Sequence, residues 1–392
     1  MYSQIYLDYN ATTPCHQEVV DAMLPYFRED FGNPSSGHHP YGWLAKDAIA
    51  TASTTIAQTL HISPTAIVYT SGATESINMV LKGICKSQGH KGKHIITSKA
   101  EHKAVLDTCA VLEEEGFDVT YLDVNSMGHV SFEAFTNALS PDTILTALLY
   151  ANNETGTIQP LTEIAAAAKV NNTFLFADAT QALGKIHLKE LFEVADFCCF
   201  SAHKIYGPKG VGMVYAKNMD SSDLFPSFIQ GGGQQKGMRG GTLNTPGIVG
   251  FAKAIQLAYV NFDQEISRIK RLRDQLEEGL LAMEYTTSNS LTQERLPNTV
   301  NISFAYVDGE RLLRSLSKFM AVSNGSACNS AAVEPSHVLI AMGVKKNLAY
   351  ASLRLSLGFY STEEDINKGI AIISKEVQKL RSNNIMWERR KA

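Results

Sequence analysis

The sequence predicts an α/β fold: a large unit with a mostly parallel sheet between helices, followed by a smaller α/β unit. Three observations predict it. Apolar runs of strand length alternate with helical patterns across short connections: strand 94–99, helix 102–115, strand 118–124, helix 131–139, strand 143–151, helix 162–172 and strand 173–179. That alternation is how a parallel sheet covered on both faces reads in sequence. Polar residues gather at or just past the ends of those runs, namely His102, Asn153, Asp178 and Lys204, with Thr74 and Gln181 beside them. Open α/β sheets bind their ligands at the carboxyl ends of the strands. Finally, 392 residues at 44% hydrophobic content suffice for one large core and a smaller one.

Taken in order, Ile5 to Pro14 is a short extended segment ending in small residues, and Pro14 is expected to open a helix reaching about Phe27. Residues 31–39 form a turn-rich loop whose His38 and His39 lack partners at metal-ligand spacing and read as surface side chains. The strand beginning at Ile67 runs into Ser71-Gly72 and then a helix from Ala73 to about Lys82. Glycine there lets the backbone approach an anion, and the first N–H groups of the helix favour phosphate. The apolar runs 194–200 and 211–216 read as buried strands flanking the turn that carries Ser201, His203 and Lys204. The loop 231–244 is too rich in glycine for a helix or central strand, and its Arg239 and Thr242 are placed to contact phosphate.

From Thr245 one long amphipathic helical run to about Met283 is expected to bridge to the second unit. That unit comprises strand 300–307, helix 309–319, strand 320–323, strand 351–358 and a final helix 363–381. The expected division is 14–257 for the large unit, and 1–13 with 258–392 for the small one. The charge run from Trp387 to Lys391 reads as a loose tail.

A net charge of −4 gives no footprint for nucleic acid, and neither a charged apolar leader nor a bilayer-length apolar run is visible, so a cytoplasmic protein without membrane contact is expected. The six cysteines show no metal-ligand spacing, so no metal site is expected. Five sit in apolar or helical contexts, where cysteine is a small hydrophobe; Cys328 sits among small polar residues, 323–335, between a strand and a helix opened by Pro335-Ser336. That setting makes Cys328 a candidate nucleophile.

Lys204, on a short turn between buried strands, is a candidate Schiff-base amine, because burial and neighbouring cations lower a lysine pKa. Asp178 ends one strand and His102 follows another. A Schiff-base lysine, an acid for a pyridinium nitrogen and an aromatic ring to stack on it are what a pyridoxal phosphate site needs. Arg354 alternates with leucines on a strand and reads equally as a carboxylate clamp or as a surface ion-pair residue.

The chain resembles the cysteine desulfurases of the NifS/IscS type, within the class V, fold-type I pyridoxal phosphate enzymes. The motifs are Leu7-Asp-Tyr-Asn-Ala-Thr-Thr-Pro14, Thr70-Ser-Gly-Ala-Thr-Glu75, Glu101-His102, Asn152-Asn-Glu-Thr-Gly156, Asp178-Ala-Thr-Gln181, Ser201-Ala-His-Lys204, Arg239-Gly-Gly-Thr242 and Gly325-Ser-Ala-Cys328. They span nearly the whole chain. The resemblance implies a seven-stranded-type, mostly parallel sheet, and a longer catalytic loop, about 323–336, carried by the small unit.

It also implies roles. Lys204 would hold the cofactor as a Schiff base and later move the substrate α-proton; Asp178 would pair with the pyridinium nitrogen, Gln181 with the ring hydroxyl, and His102 would stack on the ring and assist proton transfer. The phosphate would be held by the backbone at Ala73 and by Thr74, Ser201 and His203, with Thr242 reaching it from a partner subunit in a homodimer. Asn153 and Arg354 would position the carboxylate of L-cysteine. Cys328 would receive the sulfur as a persulfide, leave alanine, and pass the sulfur to a protein acceptor docking near the 325–336 loop or the tail. Asn10, Thr155 and Asn329 depart from the commonest family pattern, and none is expected to touch this chemistry. A selenocysteine lyase or another class V enzyme on the same fold is the alternative, and a scaffold without cofactor ranks last because it would be expected to lose Lys204 or Asp178.

Overall fold

The computed structural model describes residues 4–217, 226–290, 292–324 and 334–389. In chain order the first part contains β1 (Ile5–Tyr6), α1 (Gln17–Met23), α2 (Pro25–Arg28), α3 (Pro40–Leu60), β2 (Ile67–Thr70), α4 (Ala73–Gln88), β3 (His94–Ser98), α5 (Lys103–Glu114) and β4 (Asp118–Leu122). Then come α6 (Phe132–Ala138), β5 (Thr143–Leu149), α7 (Leu161–Val170), β6 (Phe174–Asp178), α8 (Lys189–Val194), β7 (Phe197–Ser201) and β8 (Gly212–Ala216). The remainder runs α9 (Thr245–Ala258), α10 (Phe262–Leu281), β9 (Thr286–Ser288), β10 (Thr299–Phe304), α11 (Gly309–Leu316), β11 (Met320–Ala321), α12 (His337–Ala341), α13 (Lys346–Tyr350), β12 (Ser352–Ser356), α14 (Glu363–Ser382) and α15 (Ile385–Arg389).

Seven strands form one sheet in the order β2-β8-β7-β6-β5-β3-β4, and only β8 runs against the others. Every residue of β5 is buried, as a strand covered on both faces must be. Successive residues face different cores: Leu175 and Ala177 join one apolar cluster with Ile96 and Cys198, while Phe176 joins another with Ile95 and Cys199. A third cluster, built from Leu272, Leu276, Ile302, Leu353, Leu355 and Val377 among others, lies under the antiparallel sheet β12-β10-β9. Strand β1 pairs in parallel with β11, and Asp8 bridges to Ser356 of β12, so the N-terminal segment lies against the C-terminal elements.

Three local expectations change. Pro14 does not open α1; His16 caps it, its Nδ1 accepting from the Glu18 N–H at 3.3 Å, and a second short helix starts at Pro25. The long run from Thr245 is broken at 259–261, where Asn261 takes φ +55°, a left-handed conformation that asparagine tolerates. The C-terminal stretch is held as far as Arg389: the Trp387 ring packs against the Arg381 guanidinium at 4.8 Å and against the rings of Tyr285 and Tyr306.

Candidate active site

The turn after β2 begins the site. Gly72 has φ +153° and ψ −178°, open in practice to glycine alone, and a Cβ on Gly212 of β8 would stand 2.6 Å from the Gly72 Cα. This close approach delivers the chain into α4 with the N–H groups of Ala73 and Thr74 free of partners among the described residues. Glu75, in the same turn, accepts from the Ser71 N–H at 2.8 Å and pairs with Arg239. Its negative charge at this helix start is thereby answered. Arg239 is thus tied to Glu75 at 2.8 Å and does not line the cavity where a phosphate contact was expected.

One cavity of about 970 Å³ at the ends of the parallel strands is lined by Ala73, Thr74, His102, Asn153, Asp178, Gln181, Ser201, His203, Lys204 and Arg354, so most of the residues singled out from sequence meet there. Thr242 is exposed and does not line it. Cys328 lies outside the described residues.

Lys204 follows β7 in a tight turn, and its Nζ donates to the carbonyls of Asn10 at 2.7 Å and Ala11 at 2.8 Å. Burial, then the positive charge of Arg354, pushes its pKa down to about 8, against the opposing pull of Asp8 and Asp178. An amine this easily freed of its proton suits attack on a carbonyl. His102 caps α5: its Nδ1 accepts from the Ala104 N–H at 3.1 Å, so a neutral ring carries its proton on Nε2. Burial lowers the His102 pKa, which favours that neutral ring.

Asp178 ends β6 and is only 2% exposed. Its Oδ1 accepts from the Thr180 N–H at 3.0 Å, the Thr180 hydroxyl at 2.5 Å and the Cys199 thiol at 3.3 Å. Its Oδ2 has no protein partner among the described residues. His203 shares Nδ1 with the Thr12 hydroxyl at 3.1 Å, and its pKa is pushed down to about 4 by burial and then by Lys204, Lys209 and Lys185. The Ser201 hydroxyl, in a residue 4% exposed, has no partner among the described residues either.

Arg354, on β12, pairs with Asp8 at 2.7 Å and reaches the Asn153 carbonyl at 3.4 Å, while its Nε is buried without a hydrogen-bond partner. Arg354 is thus ion-paired, but at 7% exposure it is no surface residue, and it lines the same cavity. Asn10 was expected to stand outside the chemistry and does not. It is 1% exposed, and its carbonyl receives both Lys204 and the Gln181 Nε2. Its side chain joins Lys185, Asn298, Asn153 and Thr299. Glu101, Glu154, Lys185 and His337 were also missed; only Glu101 and Glu154 lay within motifs already noted in the sequence.

This donor set fits pyridoxal phosphate. Free N–H and hydroxyl groups at a helix N-terminus suit a phosphate, the unpartnered Asp178 Oδ2 suits a protonated ring nitrogen, and the depressed Lys204 suits an aldehyde.

The model of the aminotransferase class-V family matches residues 5–368. The chain is 44% identical over 385 residues to the cysteine desulfurase IscS of Anaeromyxobacter sp. (strain Fw109-5), covering 98% of this chain and 95% of that protein. Among solved structures it is similar to a NifS-like protein at a TM-score of 0.87 and 37% identity, covering 96% of this chain and 99% of that one. It is also similar to SspA in complex with cysteine, at a TM-score of 0.80 and 35% identity, covering 91% and 99%.

Proposed function

The chain belongs to the aminotransferase class-V family, and from that premise we propose how its own residues divide the work of a pyridoxal phosphate-dependent cysteine desulfurase. The activity removes sulfur from L-cysteine and hands it to an acceptor. One observation carries the assignment of roles: a depressed lysine amine and a buried carboxylate with a free oxygen share one cavity with a neutral histidine that caps a helix.

Pyridoxal phosphate, when bound, supplies an electron sink that makes the substrate Cα–H acidic and the thiol sulfur open to attack. Lys204 holds the cofactor and afterwards takes the α-proton on Nζ. Asp178 would pair with the ring nitrogen through Oδ2, Gln181 would offer an N–H to the ring oxygen, and His102 would cover the ring and assist proton transfer. The Ala73 and Thr74 N–H groups, the Thr74 and Ser201 hydroxyls and the ring of His203 would hold the phosphate. Arg354 and Asn153 take the substrate carboxylate. Cys328 attacks as the thiolate: an S–S bond forms, the substrate Cβ–S bond breaks, and the electron pair left on carbon is protonated to give alanine.

We further propose a homodimer in which Thr242 of the partner subunit completes the phosphate site, supported by the exposure of Thr242 away from its own cavity. The division into 14–257 and 1–13 with 258–392 belongs to the same reading, supported by the separate apolar cluster of the C-terminal elements. No helix among the described residues is long and apolar enough to cross a membrane; a cytoplasmic location is proposed from the sequence and tested by fractionation. The acceptor is proposed to be a protein docking near residues 325–336 or the C-terminal stretch.

The test is the absorbance spectrum of the purified protein together with sulfide and alanine release from L-cysteine, beside Cys328→Ala. The expected result is a yellow protein whose turnover stops in the variant while its colour stays. Equal alanine release without Cys328 would sink the persulfide step and leave the cofactor assignment standing.

A further inference from the structure

We infer that Lys185 is a positioning residue of the cofactor site, acting through Gln181 and Asn10 to fix the donor that Gln181 turns toward the ring and the carbonyl on which the Lys204 amine rests. The inference rests on the roles proposed above for Lys204 and Gln181. Lys185 is 8% exposed and does not line the active-site cavity; it lines a second cavity, about 460 Å³, on the far side of Lys204 beside Tyr206 and Arg268. It therefore has no reach to the ring and acts only through its neighbours.

Those neighbours are specific. The Lys185 Nζ donates to the Gln181 Oε1 at 2.5 Å and to the Asn10 Oδ1 at 3.2 Å. The Gln181 Nε2 in turn donates to the Asn10 carbonyl at 2.9 Å, the same oxygen that receives Lys204 at 2.7 Å. With Oε1 committed to an amine and one Nε2 hydrogen to a carbonyl, the amide has a single orientation, and its remaining free polar hydrogen is an N–H. A flipped amide would set oxygen against the Asn10 carbonyl oxygen. Gln181 can then serve the ring oxygen only as a donor, which favours negative charge on that oxygen.

Burial first, and then the positive charges of Lys204 and Arg354, hold the Lys185 pKa well below its ordinary value. A buried lysine without a counter-charge is costly to keep for packing alone, since an apolar side chain would fill the space without desolvating an amine. What the site uses is a pair of its N–H donors, one on the Gln181 Oε1 and one on the Asn10 Oδ1.

The experiment follows the visible band of the lysine-bound cofactor through a pH titration in wild type, Lys185→Met and Lys185→Gln, each also in a Gln181→Leu background. Loss of the fixed donor raises the proton affinity of the chromophore, so the titration midpoint of Lys185→Met should rise by about one pH unit, the size of one lost hydrogen bond to a charged oxygen. Lys185→Gln, which keeps a donor, should stay nearer wild type. In the Gln181→Leu background, Lys185→Met should add no further shift, a non-additivity that a purely structural or charge effect would not produce. If the Met variant does not fold, Lys185→Ala, whose truncation opens onto the existing cavity, takes its place. An unmoved midpoint, or the same shift in both backgrounds, overturns the inference. Borohydride reduction and peptide mapping of the wild type keep the two levels apart: a cofactor label absent from Lys204 overturns the role of Lys204 and this inference together, whereas a label on Lys204 with an unmoved midpoint overturns this inference alone.

Discussion

Glu101 and Glu154 are both fully enclosed at the strand ends, and burial raises their pKa values to about 8 and about 7 from an ordinary 4.5. Glu101 accepts from the Ser98 hydroxyl at 2.6 Å, and its other oxygen is buried without a partner. Because the folded protein keeps these protons where the unfolded chain has released them, stability is full near and below pH 4.5 as far as these two groups contribute. It is lost as pH rises through about 7 and then 8. The expected slope is about 1.4 kcal/mol per pH unit for each group while it titrates. Urea unfolding between pH 5 and 8 should show stability falling with pH, and Glu101→Gln and Glu154→Gln should each flatten part of the fall. A slope unchanged in the double variant would mean that other groups dominate.

At the scale of elements, α12 is a short helix entered through Pro335 and Ser336. Ser336 caps it, accepting from the Leu339 N–H at 3.2 Å while its hydroxyl donates to the Glu154 Oε2 at 2.5 Å, and the His337 Nε2 donates to the Glu101 carbonyl at 2.9 Å. These contacts pin the start of α12 to the turns following β3 and β5. Ser336→Ala removes the cap and leaves a buried carboxylate oxygen unpaired, which together should cost about 2–4 kcal/mol in urea unfolding. Ser336→Thr, which keeps the hydroxyl, should recover most of it; a loss below about 0.5 kcal/mol in the Ala variant would mean that water takes the place of the hydroxyl. The sequence places this helix start correctly through Pro335-Ser336, because capping is a local matter. Its landing on Glu154, 182 residues away, is not local, and nothing in either stretch announces it.

For the whole molecule, a group of exposed large apolar side chains falls in one stretch of sequence: Leu24, Phe27, Phe31, Tyr41, Trp43 and Leu44 are each more than half exposed, with the Phe31 and Tyr41 rings 5.4 Å apart. Side chains of this kind in one stretch call for a cover, and in the proposed homodimer a second copy provides it. Light scattering should find a dimer. Phe27→Glu with Trp43→Glu should shift it toward monomer, and the monomer should hold its cofactor about tenfold or more weakly, the effect of losing one charge-assisted contact from Thr242 of the partner subunit. A wild type that is monomeric and fully loaded would end this reading.

The sequence by itself determined the alternation of strands and helices, the rim on which the site is built, and the motif residues that line its cavity. Each of these is written in periodicity, turn chemistry or a contiguous motif. The break at Asn261, the pairing of Arg239 with Glu75, and the hub at Asn10 were decided only by tertiary structure. Asn10 lies 194 residues from Lys204 and 175 from Lys185 in sequence. Which carbonyl receives an amine, and which buried lysine holds a glutamine in place, follow from the docking of the N-terminal segment between β10, β12 and the turn after β7. A one-dimensional pattern cannot carry a juxtaposition made by packing.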